Sequence, residues 1–210
     1  MTENTSTTAT ADMESKIIEV AKTIFMEKGF IDTSMSDIAA GAGINRPTLH
    51  YYFRTKDRMF QAVVGMIIQQ ILPHLHEIVL NRELSVSERV NIMVDTYFEV
   101  FRKNPLLPLF IAREIQRDVD YLLDVINHLA EKQLFASLVN SLYQEMSEGK
   151  LNNVPLHVIF YSFYGAVTFP FMSKKIAAKL LVEDGETFEI LIETWKPYIV
   201  KQMTNLLSPD

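Results

Sequence analysis

Apolar side chains recur at intervals of three and four from Asp12 almost to the end of this chain, and no stretch alternates as a half-buried strand does. The chain is therefore expected to be all-α. Ile17, Val20, Ala21, Ile24 and Phe25 mark a first helix from Asp12, which Gly29 ends by supplying a left-handed residue. Ser34 and Asp37 stand three apart, a capping-box-like start for a short second helix that carries Ile38 and Ala39 and stops near Gly43. Asn45 caps a third helix; Pro47 falls in its first turn, where a missing N–H costs nothing, and Leu49 and Phe53 lie four apart on the buried face. Thr55 opens a long fourth helix through Phe60, Val63, Val64, Ile67, Ile68 and Ile71, until Pro73 kinks or ends it. Further helical blocks are predicted at 74–80, 86–103, 105–117, 120–148, 154–171, 173–182 and 186–206. The breaks fall at Asn104-Pro105, Glu148-Gly149, Asn152 to Pro155 and Asp184-Gly185.

Composition removes several function classes. Cysteine is absent, so disulfide frameworks, thiolate zinc sites, iron–sulfur clusters and cysteine nucleophiles are excluded together. His74 and His76 are two apart, a spacing that does not share a helix face, and His128 and His157 are isolated. No metal site, no cofactor and no catalytic constellation is expected. Residues 1–11 are rich in Ser and Thr and read as a disordered leader without the basic start or apolar stretch of a secretory signal. The apolar stretch 159–172 contains Ser162, Thr168 and Pro170 and falls short of the roughly 20 apolar residues that span a membrane. A soluble, cytoplasmic protein without a membrane partner is expected.

The two short helices around Gly43 carry the most information. Ala39 is small enough for two helices to cross closely, Gly43 takes the tight turn, and Ile38, Ile44 and Leu49 fill the wedge behind, as a helix-turn-helix requires. The third helix would then present Arg46, Pro47, Thr48, His50 and Tyr51 outward, in the half that such motifs insert into the major groove. Arg can pair with guanine, and Thr or Pro can touch a thymine methyl.

The stretch AKTIFMEKGFIDTSMSDIAAGAGINRPTLHYYFRTKDRMFQAVV resembles the DNA-binding domain of the TetR family of bacterial transcriptional regulators. The matching elements are Phe25, Gly29 and Phe30, Thr33 and Ser34, Ile38-Ala39, Gly43-Ile44, and the Thr48 to Phe53 block followed by Lys56. The resemblance implies an N-terminal helix-turn-helix domain at 12–58 and a larger helical ligand-binding and dimerisation bundle at 59–210. It also implies that Arg46, Pro47, Thr48 and Tyr51 read bases or line the groove, that Tyr52 and Lys56 contact phosphates, and that Thr33 and Ser36 approach the DNA backbone. Where the family usually has Tyr this chain has His50, so any contact made there has a different geometry.

The same resemblance implies a small-molecule effector, for which Tyr97, Phe101, Phe110, Arg113, His128 and Phe163 are the candidate ligand-binding residues, and a homodimer formed through helices near 154–171 and 186–206. The segment 156–172 is apolar almost all round, which a helix tolerates only when covered on several sides. Trp195 and Tyr198 either anchor that interface or belong to the core. The expected function is a ligand-responsive regulator, most simply a repressor, that binds a near-palindromic double-stranded operator. An effector would act by shifting the helix that begins at Thr55. The alternative is an all-helical small-molecule carrier or enzyme with a remnant helix-turn-helix. Lys and Arg total 20 against 26 Asp and Glu, a net charge of -6, but residues 45–58 set Arg46, Arg54, Lys56 and Arg58 against Asp57 alone. The basic character is confined to one small edge, where it suits a polyanion.

Overall fold

A computed structural model describes residues 3–128, 132–181 and 186–209, and every regular element among them is helical. The helices are α1 (Glu3–Asp32), α2 (Met35–Ala42), α3 (Arg46–Tyr52), α4 (Lys56–Leu80), α5 (Val86–Lys103), α6 (Leu107–Arg117), α7 (Val119–His128), α8 (Lys132–Ser147), α9 (Leu156–Met172), α10 (Lys174–Leu180) and α11 (Phe188–Leu207). They form two compact units, Met1–Ile68 with Leu109–Leu129, and Gln69–Pro108 with Ala130–Asp210.

The first unit is built on aromatic packing. Phe25 and Phe60 are fully buried, their rings edge-on at 5.5 Å, and Phe30 meets Phe60 edge-on at 5.0 Å. Ile17, Ala21, Ile38, Leu49, Met59 and Val63 complete the buried face, as the three-and-four spacing requires. α1 breaks at Gly29, whose φ of 83° and ψ of 172° lie outside the helical region, and the chain resumes helical form to Asp32. At its other end α1 begins at Glu3, well before the predicted start at Asp12. No Gly or Pro interrupts residues 3–28, so nothing in the backbone opposes propagation toward the N-terminus once the helix is nucleated.

The second unit centres on α5 and α11. Val90, Val94, Phe98 and Phe101 of α5 and Ile192, Ile199 and Met203 of α11 are buried. Ser85 and Glu88 form a capping box at the start of α5, each bonding the other's backbone N–H. Asn152 closes the opposite end of α11: its N–H donates to Leu207 O at 2.8 Å and its Nδ2 to Leu206 O and Ser208 O. Buried in this unit, Arg89 forms a fork to Glu145, Nη1 to Oε1 at 2.9 Å and Nη2 to Oε2 at 2.8 Å, while Nη1 also reaches Val79 O. The pair joins α4, α5 and α8.

Of the two outcomes left open at Pro73, a kink or an end, the end does not occur: α4 runs on to Leu80, since one proline removes a single backbone bond and Ile78 and Val79 beyond it are buried. Within the block predicted at 120–148 the described residues are helical, as α7 and α8, and residues 129–131 between them lie outside the described residues. α4 also has the length and hydropathy of a membrane span, and Met59, Phe60, Val63, Val64 and Ile67 within it are buried. Pro170 sits inside α9 and cannot donate to the carbonyl four residues earlier; Trp195 Nε1 takes that acceptor, Ala166 O, at 3.0 Å. This fixes Trp195 as a tie between α11 and α9.

Removing one partner of the Arg89–Glu145 fork leaves an uncompensated buried charge. Glu145→Ala is expected to lower unfolding free energy by about 3–5 kcal/mol in urea denaturation. An apolar replacement of both residues, Arg89→Met with Glu145→Leu, is expected to recover most of it.

Candidate nucleic-acid interface

Helices α2 and α3 are both short, and each is held by side chains within three residues of its start. Ser34 N–H donates to Asp37 Oδ2 at 2.9 Å while Asp37 N–H donates to Ser34 Oγ at 3.1 Å, completing the predicted capping box. Ser34 Oγ and its backbone N–H, with Lys28 behind them, hold the Asp37 carboxyl well below its ordinary 3.8, at about 2. Gly43 ends α2 in the left-handed region at φ 70°, and its N–H and that of Ile44 return to α2 carbonyls. Asn45 Oδ1 then accepts from both Thr48 N–H, at 2.8 Å, and Thr48 Oγ1, at 2.7 Å. Close approach of α2 to α1 depends on Gly41: a Cβ there would lie 2.9 Å from Val20 Cγ1 and 3.2 Å from Ile24 Cδ1. Gly41 therefore shares the close-crossing role that the sequence pattern assigns to Ala39.

The result is that α3 has one buried side and one solvent side. Leu49 is fully buried and Phe53 nearly so, whereas Arg46, Pro47, His50 and Tyr51 are exposed, Tyr51 at 78%. Thr48 is half-buried with its hydroxyl proton committed to Asn45, leaving its methyl as the group available for contact. Tyr52 is half-buried and meets Tyr51 edge-on at 5.2 Å. His50 Nδ1 lies 3.1 Å from Arg54 O, an acceptor, so the ring nitrogen facing it carries the proton and Nε2 is left as the outward atom. Ser36 is exposed at the start of α2.

Two of the predicted backbone-contacting residues are placed otherwise. Thr33 is buried, 2% exposed, and its hydroxyl donates to Gly29 O at 2.7 Å, closing the break in α1. Lys56 Nζ donates to Phe30 O at 2.9 Å and Ile31 O at 3.1 Å and sits 4.5 Å from the centre of the Phe30 ring. Both side chains are spent on the end of α1. The exposed cations of this edge are Arg46, Arg54 and Arg58, the last two of which register in the sequence only as local charge.

The effector candidates divide between the units. Tyr97, Phe101 and Phe163 come together in the second, Tyr97 lying 5.6 Å from Phe101 and 5.5 Å from Phe163. Burial pushes the Tyr97 phenol far up and raises that of its neighbour Tyr164 to about 12, so both are neutral donors. Phe110 and Arg113 belong to the first unit. Phe110 packs on Phe60 at 6.1 Å, and Arg113 lies against Gly29 with Nη1 3.4 Å from Glu27 O. The side chain of His128 lies outside the described residues. The buried carboxylate beside Arg113 is Glu114, whose partner is Arg117 at 2.6 Å.

Residues 17–63, which contain the recognition helix and its caps, match the model of bacterial regulatory proteins of the tetR family. Over that stretch, less than a quarter of its length, this chain is similar to the family. The curated relatives match over similarly limited stretches. The chain is 26% identical over 94 residues to the HTH-type transcriptional regulator EthR of Mycolicibacterium smegmatis, a match covering 45% of this chain and 43% of EthR. It is 28% identical over 87 residues to IcaR of Staphylococcus aureus, a negative transcriptional regulator of the biofilm operon icaADBC, covering 41% and 45%. The chain thus spans less than half the length of the curated relatives it matches. The fold extends further: a TetR family transcription regulator from Marinobacter aquaeolei superposes with a TM-score of 0.73 at 14% identity, covering 97% of this chain and 99% of that one.

The helix-turn-helix stretch has a cap that titrates at low pH. Because folding lowers the Asp37 pKa from 3.8 to about 2, its contribution is complete above 3.8 and is lost as pH falls through about 2. The stability difference between wild type and Asp37→Asn, measured by thermal melting, is therefore expected to be constant above pH 3.8 and to shrink steadily toward pH 2.

Proposed function

We propose that this protein is a DNA-binding transcriptional regulator that acts in the cytoplasm as a homodimer, represses transcription from a near-palindromic operator, and is released by a small molecule. The observation that carries the reading is the division of α3 into a buried Leu49 side and a solvent side bearing Arg46, Pro47, His50 and Tyr51. A helix held this way enters a major groove with its N-terminal half. Arg46 offers a bidentate donor to guanine, and Pro47 and the Thr48 methyl offer apolar contacts to thymine. Residues 12–58 form the DNA-binding part in this reading, and 59–210 the effector and dimerisation part. The negative regulation named for IcaR supports repression over activation.

Dimerisation is supported by a large exposed apolar surface on the last helices. Phe160, Tyr161 and Phe169 of α9 and Tyr198 of α11 are all more than half exposed, and Tyr198 stacks on Trp195 at 6.1 Å. Soluble monomers rarely leave aromatic side chains clustered in water in this way. Two copies related by a two-fold axis would cover them and set two α3 helices about one turn of duplex apart. The aromatic cluster of buried Phe101 with half-buried Tyr97 and Phe163, beside two neutral phenols, suits an apolar effector bearing a hydrogen-bond acceptor. Such an effector acts by favouring one position of α4, and only to the extent that it binds the two positions unequally.

The test is a mobility shift on the DNA immediately upstream of the protein's own gene at low salt. The wild type is expected to retain that fragment. Arg46→Ala with Tyr51→Ala is expected to weaken binding by about 1–3 kcal/mol for each base no longer read, with unchanged melting. A wild type that leaves the fragment unshifted, or a double variant that binds equally well, refutes the regulator reading.

A further inference from the structure

Lys56 stands where the family resemblance assigns a phosphate contact, yet its ammonium is already engaged. Of its three protons, two are donated to Phe30 O and Ile31 O, and its third side faces the Phe30 ring. Those carbonyls close the short turn after Gly29. Moving Lys56 to a phosphate would strip them of their donor and remove the cation from the aromatic face.

Beside it lies an alternative. Tyr51, Tyr52, Arg54, Arg58 and Gln61 line one open cleft of about 560 Å³ at the end of α3 and the start of α4. Arg54 and Arg58 are both exposed and form no ion pair among the described residues. The acid between them in sequence, Asp57, accepts a hydrogen bond from Tyr121 at 3.1 Å and so is drawn away to α7. The cleft therefore holds two unpaired guanidinium groups, two phenols and an amide, and no carboxylate. Guanidinium forks match phosphate oxygens in a bidentate manner, and phenols supply further donors. Thr55 Oγ1 accepts the Arg58 N–H at 3.2 Å, which fixes the first turn of α4 and with it the root of the Arg58 side chain.

We propose that Arg54 and Arg58, with the Tyr52 hydroxyl, form the phosphate-binding subsite of this protein for duplex DNA, and that Lys56 is a positioning residue that makes no phosphate contact. The assignment rests on the regulator reading above. It places the electrostatic grip at the C-terminal end of the recognition helix, opposite the base-reading Arg46 end. Contacts at both ends fix the tilt of α3 in a groove, whereas base contacts at one end leave it free to pivot.

The two residue types separate by salt dependence. Binding of a fluorescein-labelled random-sequence duplex is followed by anisotropy across a KCl series for wild type, Arg54→Gln with Arg58→Gln, Arg54→Lys with Arg58→Lys, and Lys56→Met. The slope of log K against log salt changes by about 0.9 for each phosphate that the protein no longer neutralises. The double Gln variant is expected to flatten the slope by about two such steps for each subunit bound, the double Lys variant to keep it, and Lys56→Met to keep it while melting at a lower temperature. Wild-type binding with an unaltered slope in the double Gln variant, an equal flattening in the double Lys variant, or a one-step flattening in Lys56→Met overturns the assignment and leaves the regulator reading standing. A wild type that does not bind duplex DNA overturns both.

Discussion

The break in α1 at Gly29 is the constraint on which the first unit depends. A helix end leaves backbone groups without partners, and here charged side chains from two other helices supply them. Glu114 Oε1 of α6 accepts Phe30 N–H at 3.1 Å, Lys56 of α4 donates to the carbonyls of Phe30 and Ile31, and Thr33 donates to Gly29 O. Glu114 is itself neutralised by Arg117, whose guanidinium lies 4.5 Å from the Phe30 ring centre. The Phe30 residue is thus gripped through its N–H, its carbonyl and its ring. Gly29 admits this because a Cβ would sit 3.1 Å from Arg113 Cδ and because φ is positive there.

From this anchor the recognition helix is placed by short-range bonds. Thr33 follows the break directly, Ser34 caps α2, Gly43 turns the chain and Asn45 caps α3, so few free torsions separate the end of α1 from Arg46. A seven-residue helix has little intrinsic stability, and its fixed position comes from these caps and from burial of Leu49. The outer face contributes little to holding the fold and is free to vary. In the proposed regulator reading, that division lets the DNA sequence read be changed through Arg46, Pro47, Thr48, His50 and Tyr51 with the scaffold kept.

What can be read from the sequence is what acts over three or four residues. The Ser34–Asp37 box, the Gly43 turn, the Asn45 cap and the Leu49–Phe53 face are all legible because their partners are near in the chain and their chemistry is specific to the residue type. The roles of Lys56 and Thr33 are not. Lys56 bonds to carbonyls 25 and 26 residues away and Glu114 to an amide 84 residues away, and nothing in the local pattern distinguishes a Lys bound to backbone from one waiting for phosphate. The continuation of α4 through Pro73 is hidden for a related reason: local propensity ends a helix there, and burial of Ile78 and Val79 outweighs it. Aromatic content marks Tyr97, Phe101, Phe110 and Phe163 as one set, but only packing separates Phe110, which belongs with Phe60.

Two copies of α3 reading successive major grooves from this frame is the central claim, and hydroxyl-radical footprinting of a DNA fragment retained by the full-length protein measures it directly. The account predicts two protected windows about one helical turn apart, related by a dyad, with methylation of guanine N7 inside them blocking binding. A single protected window, or protection unaffected by major-groove methylation, would contradict it.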